Sequence, residues 1–259
     1  MGRAVARLAA ETPDVQIVGA VEAPGSPALG RDLGELAAGE AMGVAIGADP
    51  ASALLGAEAL IDFSLPPAVP AMLRAAMHAG VAVVSGTTGL DEDCERLLVR
   101  ASAEIPVLWA PNLSLGVQLL AGLVEQAMRA LGAGYDVEIV ETHHRAKIDA
   151  PSGTAKQLVE AARRARPELG TVHGREGRLG PRPVAQLGVH AVRGGAVVGD
   201  HTVHLIGLAD RIELSHRAMS RDVFAQGALR AARFLAGKPP GRYALGQVLS
   251  TGREEPHGC

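Results

Sequence analysis

The chain has 259 residues, 47% of them hydrophobic and 20% charged, enough to bury the core of one or two globular domains without covalent staples. A formal net charge of -3 gives nucleic acid or an anionic membrane surface nothing to attract. Two cysteines, Cys94 and Cys259, make no disulfide framework, and no run approaches the ~20 apolar residues of a membrane span or resembles a signal peptide, so the cytoplasm is the expected location.

The chain opens with "MGRAVARLAA", which reads as a helix. "DVQIVGAV" (14–21), "EALIDF" (58–63), "GVAVVSG" (80–86) and "IPVLWA" (105–110) read as buried strands, with "GVAIG" (43–47) a shorter one. Between them "PPAVPAMLRAAMHAG" and "DEDCERLLVRASAEI" read as helices, the second with Asp91 as N-cap and an acidic first turn. Apolar runs alternating with amphipathic segments predict a parallel sheet covered by helices on both faces, with ligands at the carboxyl ends of its strands.

The pattern changes after Pro111. "SLGVQLLAGLVEQAMRALGAG" reads as one long helix beginning near Ser114, and "YDVEIVE" alternates as a half-exposed strand should. "TAKQLVEAARRAR" is a further helix, and the Gly/Arg/Pro stretch at 170–183 is expected to be a mobile loop. "VAQLGVHAVR", "AVVGDHTVHLIG" and "RIELSHRA", separated by Gly194-Gly195 and Ala209-Asp210, predict a meander of antiparallel strands. "RDVFAQGALRAARFLAG" (221–237) is the last helix, ended by Gly237.

Four stretches carry candidate chemistry. Glu22 ends "GAVE", where an acidic residue after a strand can accept hydrogen bonds from the ribose hydroxyls of a dinucleotide; standing alone, such a residue is more often a solvated strand-terminal glutamate. "SGTTG" (85–89) and "APNLS" (110–114) close neighbouring strands with small residues that let a ligand approach the backbone, so both tips face one crevice. "ETHHRAKIDAPSGTA" (141–155) sets His143, His144, Arg145 and Lys147 just ahead of a helix start at Ser152, Gly153 and Thr154. Free N–H groups and the positive end of a helix dipole hold carboxylates, while a lysine and an imidazole supply charge and a proton. Metal-ligand spacing is lacking: His201 and His204 lie three apart on a predicted strand, on opposite faces, and neither cysteine has a ligand partner at zinc spacing.

The 141–155 block resembles the signature of the dihydrodipicolinate reductase family. "IDFS", "SGTTG", "APNLSLGV", "HAVRGGAVVGDHTV" and "ELSHRAMSRDVFAQGALRAA" resemble its other blocks in the same order. The resemblance covers essentially the whole chain. It implies an α/β protein with a Rossmann-like parallel-sheet nucleotide domain over 1–114 plus 225–259, and a second α+β domain of mixed or antiparallel sheet over 115–224. It also implies NAD(P)H-dependent reduction of 4-hydroxy-tetrahydrodipicolinate to tetrahydrodipicolinate on the diaminopimelate route to lysine, by a homotetramer. Carried over, His143 and Lys147 are the acid/base pair. His144, Lys147, Gly153 and Thr154 bind the carboxylates of the substrate, with Ser152 an added donor by position. Glu22 holds the adenine ribose, Phe63 packs by the cofactor, and Gly86, Thr87, Thr88, Ala110, Pro111, Asn112 and Leu113 line the nicotinamide side.

Two departures from the family pattern matter. Glu22 is followed by Ala23-Pro24-Gly25, with no arginine to meet a 2′-phosphate, so NADH is expected to be preferred over NADPH. The chain also begins at Met1-Gly2-Arg3, inside the first helix, without the strand and glycine turn of a dinucleotide fingerprint. The sequence therefore predicts a coding region that extends upstream by roughly 10–20 residues, and weak NADH binding by the 259-residue form. The rival readings are a truncated homologue that holds little cofactor and another nicotinamide-dependent amino-acid dehydrogenase, such as one acting on aspartate.

Overall fold

A computed structural model describes residues 1–250. Cys259 lies outside the described residues. The chain forms two compact units, one of Met1–Leu115 together with the chain from Arg221 onward, the other of Gly116–Ser220.

The first unit runs α1 (Gly2–Ala10), β1 (Ala20–Val21), α2 (Leu33–Ala37), β2 (Ile46–Gly47), α3 (Pro50–Ala53), β3 (Ala59–Asp62), α4 (Val69–Ala79), β4 (Ala82–Ser85), α5 (Glu92–Ser102) and β5 (Pro106–Trp109). The second contains α6, which begins at the junction (Leu115–Leu131), then β6 (Asp136–His143), α7 (Gly153–Ala165), β7 (Gly170–Val172), β8 (Gln186–Arg193), β9 (Gly199–Ile206) and β10 (Arg211–Ala218). The chain then returns to the first unit with α8 (Asp222–Leu235), β11 (Gly241–Tyr243) and α9 (Leu245–Ser250).

In the first unit β11, β5, β4 and β3 form, in that order, a fully parallel sheet. All four β4 residues are buried, as a central strand covered on both faces requires. Val83 packs with Leu73, Leu98 and Val107 under α4 and α5, while Val84 packs with Leu108, Ala228 and Leu235 under α8. The helices obey local rules. Asp91 accepts from the Cys94 N–H at the start of α5, and Glu92, Asp93 and Glu95 in its first turn complement the dipole. Gly80 closes α4 at φ 68°, a left-handed conformation that glycine adopts without a Cβ penalty.

The second unit is a five-stranded sheet ordered β10-β9-β6-β8-β7. The strand at 136–143 alternates half-buried and buried throughout. Val137, Ile139, Leu187, Val189, Val203 and Leu205 meet Leu120, Val124, Leu158 and Ala162 of α6 and α7 in one core.

Three expectations need correction. The stretch 14–21 is strand only at Ala20 and Val21, which pair in parallel with Ile46 and Gly47 as a separate two-stranded sheet. An apolar run becomes a strand only where a neighbour takes its backbone hydrogen bonds, and β1 has just β2. The last three strands are not a meander: β9 and β10 form an antiparallel hairpin, but β6 lies between β9 and β8 and runs parallel to β8. Parallel neighbours need a long crossover, and α7 supplies it. The stretch 170–183 is tethered rather than loose. It starts as β7, and Arg175 and Arg182 both bond the carboxylate of Glu138.

Among the described residues no helix is long and apolar enough to cross a membrane.

Candidate active site

The two-residue period of β6 puts Glu141 and His143 on one buried face. The link from β8 to β9 then arches over the end of β6, with Gly194 N donating to the His143 carbonyl (2.9 Å) and His144 N donating to the Val197 carbonyl (2.8 Å). These bonds fix the backbone where the histidines lie. Lys147 N donates to the His144 carbonyl at 3.1 Å to close a turn, and Lys147 Nζ donates to Asp149 Oδ1 at 2.7 Å. Ser152 is the N-cap of α7, its hydroxyl accepting from Ala155 N. Gly153 stands exposed at that helix start beside the buried Thr154.

Glu141 sits at the centre and is fully buried. Its Oε2 lies 2.5 Å from His143 Nδ1, Arg193 donates to both oxygens at 2.7 and 2.8 Å, and Ser152 N donates to Oε1 at 3.1 Å. Burial pushes its pKa up, but the bonds from Arg193, His143 and Ser152 outweigh that and hold it below the usual carboxylate range. Glu141 is therefore ionised. His201 of β9 stands edge-on to His143 with ring centroids 5.1 Å apart, and its Nε2 lies 3.0 Å from the Ser152 hydroxyl. Burial first, then the charge of His143, pushes the His201 pKa down to about 4, so this ring is neutral near pH 7. Since Ser152 Oγ already accepts from Ala155 N at 3.1 Å, its own proton is available to His201.

Seen this way, His143, Lys147, Ser152, Gly153 and Thr154 belong to one neighbourhood at the end of β6 and the start of α7. His144 follows directly, half-buried. Sequence reasoning missed Glu141, Asp149, Arg193 and His201. The spacing of Glu141 and His143 was visible in the strand pattern. Arg193 and His201 come from strands far along the chain, and only the register that sets Glu141 opposite His201 brings them in.

In the first unit the parallel register aligns Asp62, Ser85 and Trp109 at the carboxyl ends of their strands. Beyond them a cleft is lined by Phe63, Gly86, Pro111, Asn112 and Leu113, together with Met1, Arg221 and Phe224. A Cβ at Gly86 would fall 2.4 Å from the Phe63 ring and 3.0 Å from Leu113, so only glycine lets these three pack. Thr87 is turned inward: its hydroxyl donates to the Ser64 carbonyl at 3.0 Å and reaches Asp62 at 3.4 Å, and its own carbonyl accepts from the Trp109 indole at 2.9 Å. It braces the tip, with its side chain occupied. Thr88 is exposed and Ala110 half-buried beside these tips. Glu22 is exposed just after β1 and is not among the residues that line the cleft, and its carboxylate accepts from Ala23 N at 2.8 Å. Asp62, Arg221 and Phe224 did not stand out in the sequence.

Comparison with known proteins identifies the family. Residues 1–113 match the family model of the dihydrodipicolinate reductase N-terminus, and residues 116–249 that of its C-terminus. The chain is 49% identical over 252 residues to the 4-hydroxy-tetrahydrodipicolinate reductase of Anaeromyxobacter dehalogenans, covering 96% of this chain and 93% of that protein. It is 48% identical over 254 residues to the enzyme of the same name from Rubrobacter xylanophilus, covering 97% and 95%. Among solved structures, a dipicolinate-bound dihydrodipicolinate reductase from a Paenisporosarcina species shares the fold, with a TM-score of 0.74 at 20% identity over 94% of this chain and 92% of that one. On both sequence and fold, the chain belongs to the dihydrodipicolinate reductase family.

Proposed function

We propose that this protein reduces 4-hydroxy-tetrahydrodipicolinate to tetrahydrodipicolinate, in the diaminopimelate route to lysine, at the expense of a reduced nicotinamide cofactor. The observation that carries this reading is the cluster in which one buried carboxylate, Glu141, joins the proton carrier His143 to the N-terminus of α7 through Ser152.

Loss of the 4-hydroxyl group of the substrate as water leaves a conjugated double bond, and reducing that bond takes a hydride at one carbon and a proton at its neighbour. A bound nicotinamide supplies the hydride. Lys147 delivers the proton, and His143 shares or tunes that step. His144, Lys147, Gly153 and Thr154 hold the carboxylates of the substrate, with Ser152 positioned alongside. The pair Lys147–Asp149, at 2.7 Å, keeps the ammonium oriented in the absence of substrate.

The first unit suits the cofactor. Phe63, Leu113 and the side-chain-free Gly86 make a close-packed apolar wall at the strand tips, where open parallel sheets bind nucleotides. Pro111 and Asn112 complete that wall, Thr87, Thr88 and Ala110 offer backbone groups at the tips, and Glu22 accepts hydrogen bonds from the adenine ribose. With a carboxylate here and Ala23 next to it, the site favours NADH over NADPH. Exposed Val192, Ile206 and Ile212 on strands of the second sheet support assembly into a homotetramer, and a biosynthetic role fits a cytoplasmic enzyme.

A substrate panel tests the reading. With NADH, 4-hydroxy-tetrahydrodipicolinate should be reduced, whereas oxaloacetate with ammonia should not. Turnover confined to the second mixture would replace this function with an amino-acid dehydrogenase.

A further inference from the structure

Glu141 has no contact with solvent, yet each of its oxygens accepts twice: Oε2 from His143 Nδ1 and Arg193 Nη1, Oε1 from Arg193 Nη2 and Ser152 N. A buried, ionised carboxylate with every acceptor site filled cannot adjust to a different partner without leaving a donor or a charge unsatisfied. At 2.5 Å, a nitrogen facing such an oxygen must carry the proton. His143 therefore holds Nδ1–H toward Glu141, and Nε2 is the nitrogen left to exchange a proton. That nitrogen lies beside Gly199, where a Cβ would come within 3.0 Å of it, so the absence of a side chain keeps this edge of the ring uncrowded. Arg193 is held as firmly: besides its fork on Glu141 it donates from Nη2 to the Asp149 carbonyl at 2.7 Å, which ties the segment after Lys147 to the same carboxylate.

From this geometry we infer that Glu141, clamped by Arg193, is the positioning residue that fixes the Nδ1–H tautomer and the orientation of His143, and that it sets the α7 anion site in register with that ring. The inference rests on the proposed acid/base role of His143 and deepens it. Fixing the tautomer of a proton-transferring histidine through its second nitrogen is a general device.

Glu141→Gln keeps the shape of the side chain and still offers an oxygen to Arg193 and Ser152. It turns an amide N–H toward His143 Nδ1, which then has to accept, and the proton moves to Nε2. Side-chain 15N spectra of the histidines, recorded at a pH where His143 is neutral and assigned with His143→Ala, read this directly. The unmodified protein should show a protonated Nδ1 and a bare Nε2, and Glu141→Gln the reverse. In steady-state assays Glu141→Gln should lower kcat by at least ~10-fold, approaching the ~10²-fold expected for loss of a proton-transfer partner, with KM changed less than kcat. A neutral His143 protonated on Nε2 in the unmodified protein would overturn the inference even if Glu141→Gln failed to fold. Wild-type kcat in Glu141→Gln alongside a crippled His143→Ala would overturn it too, while leaving the role of His143 intact. Full turnover by His143→Ala would instead remove the acid/base reading, and this inference with it.

Discussion

Lys147 Nζ donates to Asp149 Oδ1 across 2.7 Å, with the lysine side chain 20% exposed and the aspartate 52%. The pair is a local one, two residues apart, and the lysine hydrogen bond holds the Asp149 carboxyl below its ordinary range. A lysine kept this way is oriented without being buried in a permanent ion pair. It can exchange Asp149 for a substrate carboxylate, or present a proton when that partner is displaced.

Lys147→Ala should therefore lower kcat by ~10²-fold or more, the scale of a positioned proton donor. Affinity for NADH, measured by nicotinamide fluorescence, should hardly move, because the cleft lined by Phe63 and Gly86 belongs to the other unit. Near-wild-type turnover in both Lys147→Ala and His143→Ala would remove these residues from the chemistry.

Cofactor choice should follow charge. Glu22 is exposed and has Ala23 beside it, so nothing adjacent neutralises a 2′-phosphate, which the carboxylate repels. NADH should give the higher kcat/KM, and Ala23→Arg should improve KM for NADPH several-fold. An unmodified protein that uses NADPH equally well would contradict this.

Gly227 lies inside α8, where replacing glycine with alanine ordinarily stabilises by roughly 0.5–1 kcal/mol. Here the sign reverses. A Cβ at Gly227 would stand 1.8 Å from the Leu113 carbonyl oxygen, backbone that cannot swing aside, and overpacking of this kind costs about 1–3 kcal/mol. Gly227→Ala should lower Tm and, by displacing Leu113, weaken NADH binding. A raised Tm would show that α8 sits farther from the Leu113 backbone.

Acid should weaken the fold over two successive pH windows. His201 is pushed down to about 4 by burial. Below the ordinary 6.5 of a histidine the unfolded chain takes up a proton that the folded state refuses. This stability is complete above pH 6.5 and is lost progressively toward pH 4. Glu138 follows: burial raises its pKa, but bonds from Arg175, His190 and Arg182 bring it down to about 2, so its contribution fades from pH 4.5 toward pH 2. Urea unfolding at pH 7 and pH 5 should show a loss that is smaller in His201→Gln by about 1–2 kcal/mol, since one pKa unit is worth ~1.4 kcal/mol. Equal losses in the two proteins would contradict a neutral, buried His201.

Much of this was legible in the sequence. The strands at 59–62, 82–85 and 106–109 announce themselves because central parallel strands are apolar on both sides. The start of α5 was legible because Asp91 caps it by a local rule. Pairing was not. Which strand lies beside β6 depends on the crossover through α7, and evenly spaced turn signals say nothing of it. The same limit hid part of the site. His143, Lys147 and Ser152 to Thr154 are contiguous and carry their chemistry in residue type, whereas Arg193 and His201 matter only because β8 and β9 flank β6. Thr87 shows a subtler gap: its position at a strand tip was evident, but its inward bonds to Ser64 and Asp62 were not.

A reduced nicotinamide and 4-hydroxy-tetrahydrodipicolinate should meet in one reaction on this chain. The most direct test is to supply the purified protein with that substrate and with NADH carrying deuterium at the transferable C4 position, then weigh the product. Tetrahydrodipicolinate bearing one deuterium, formed in step with cofactor oxidation and slowed ~10²-fold by Lys147→Ala, is the expected result. Substrate left unchanged by the folded protein with both NADH and NADPH, or product formed without the label, would contradict it.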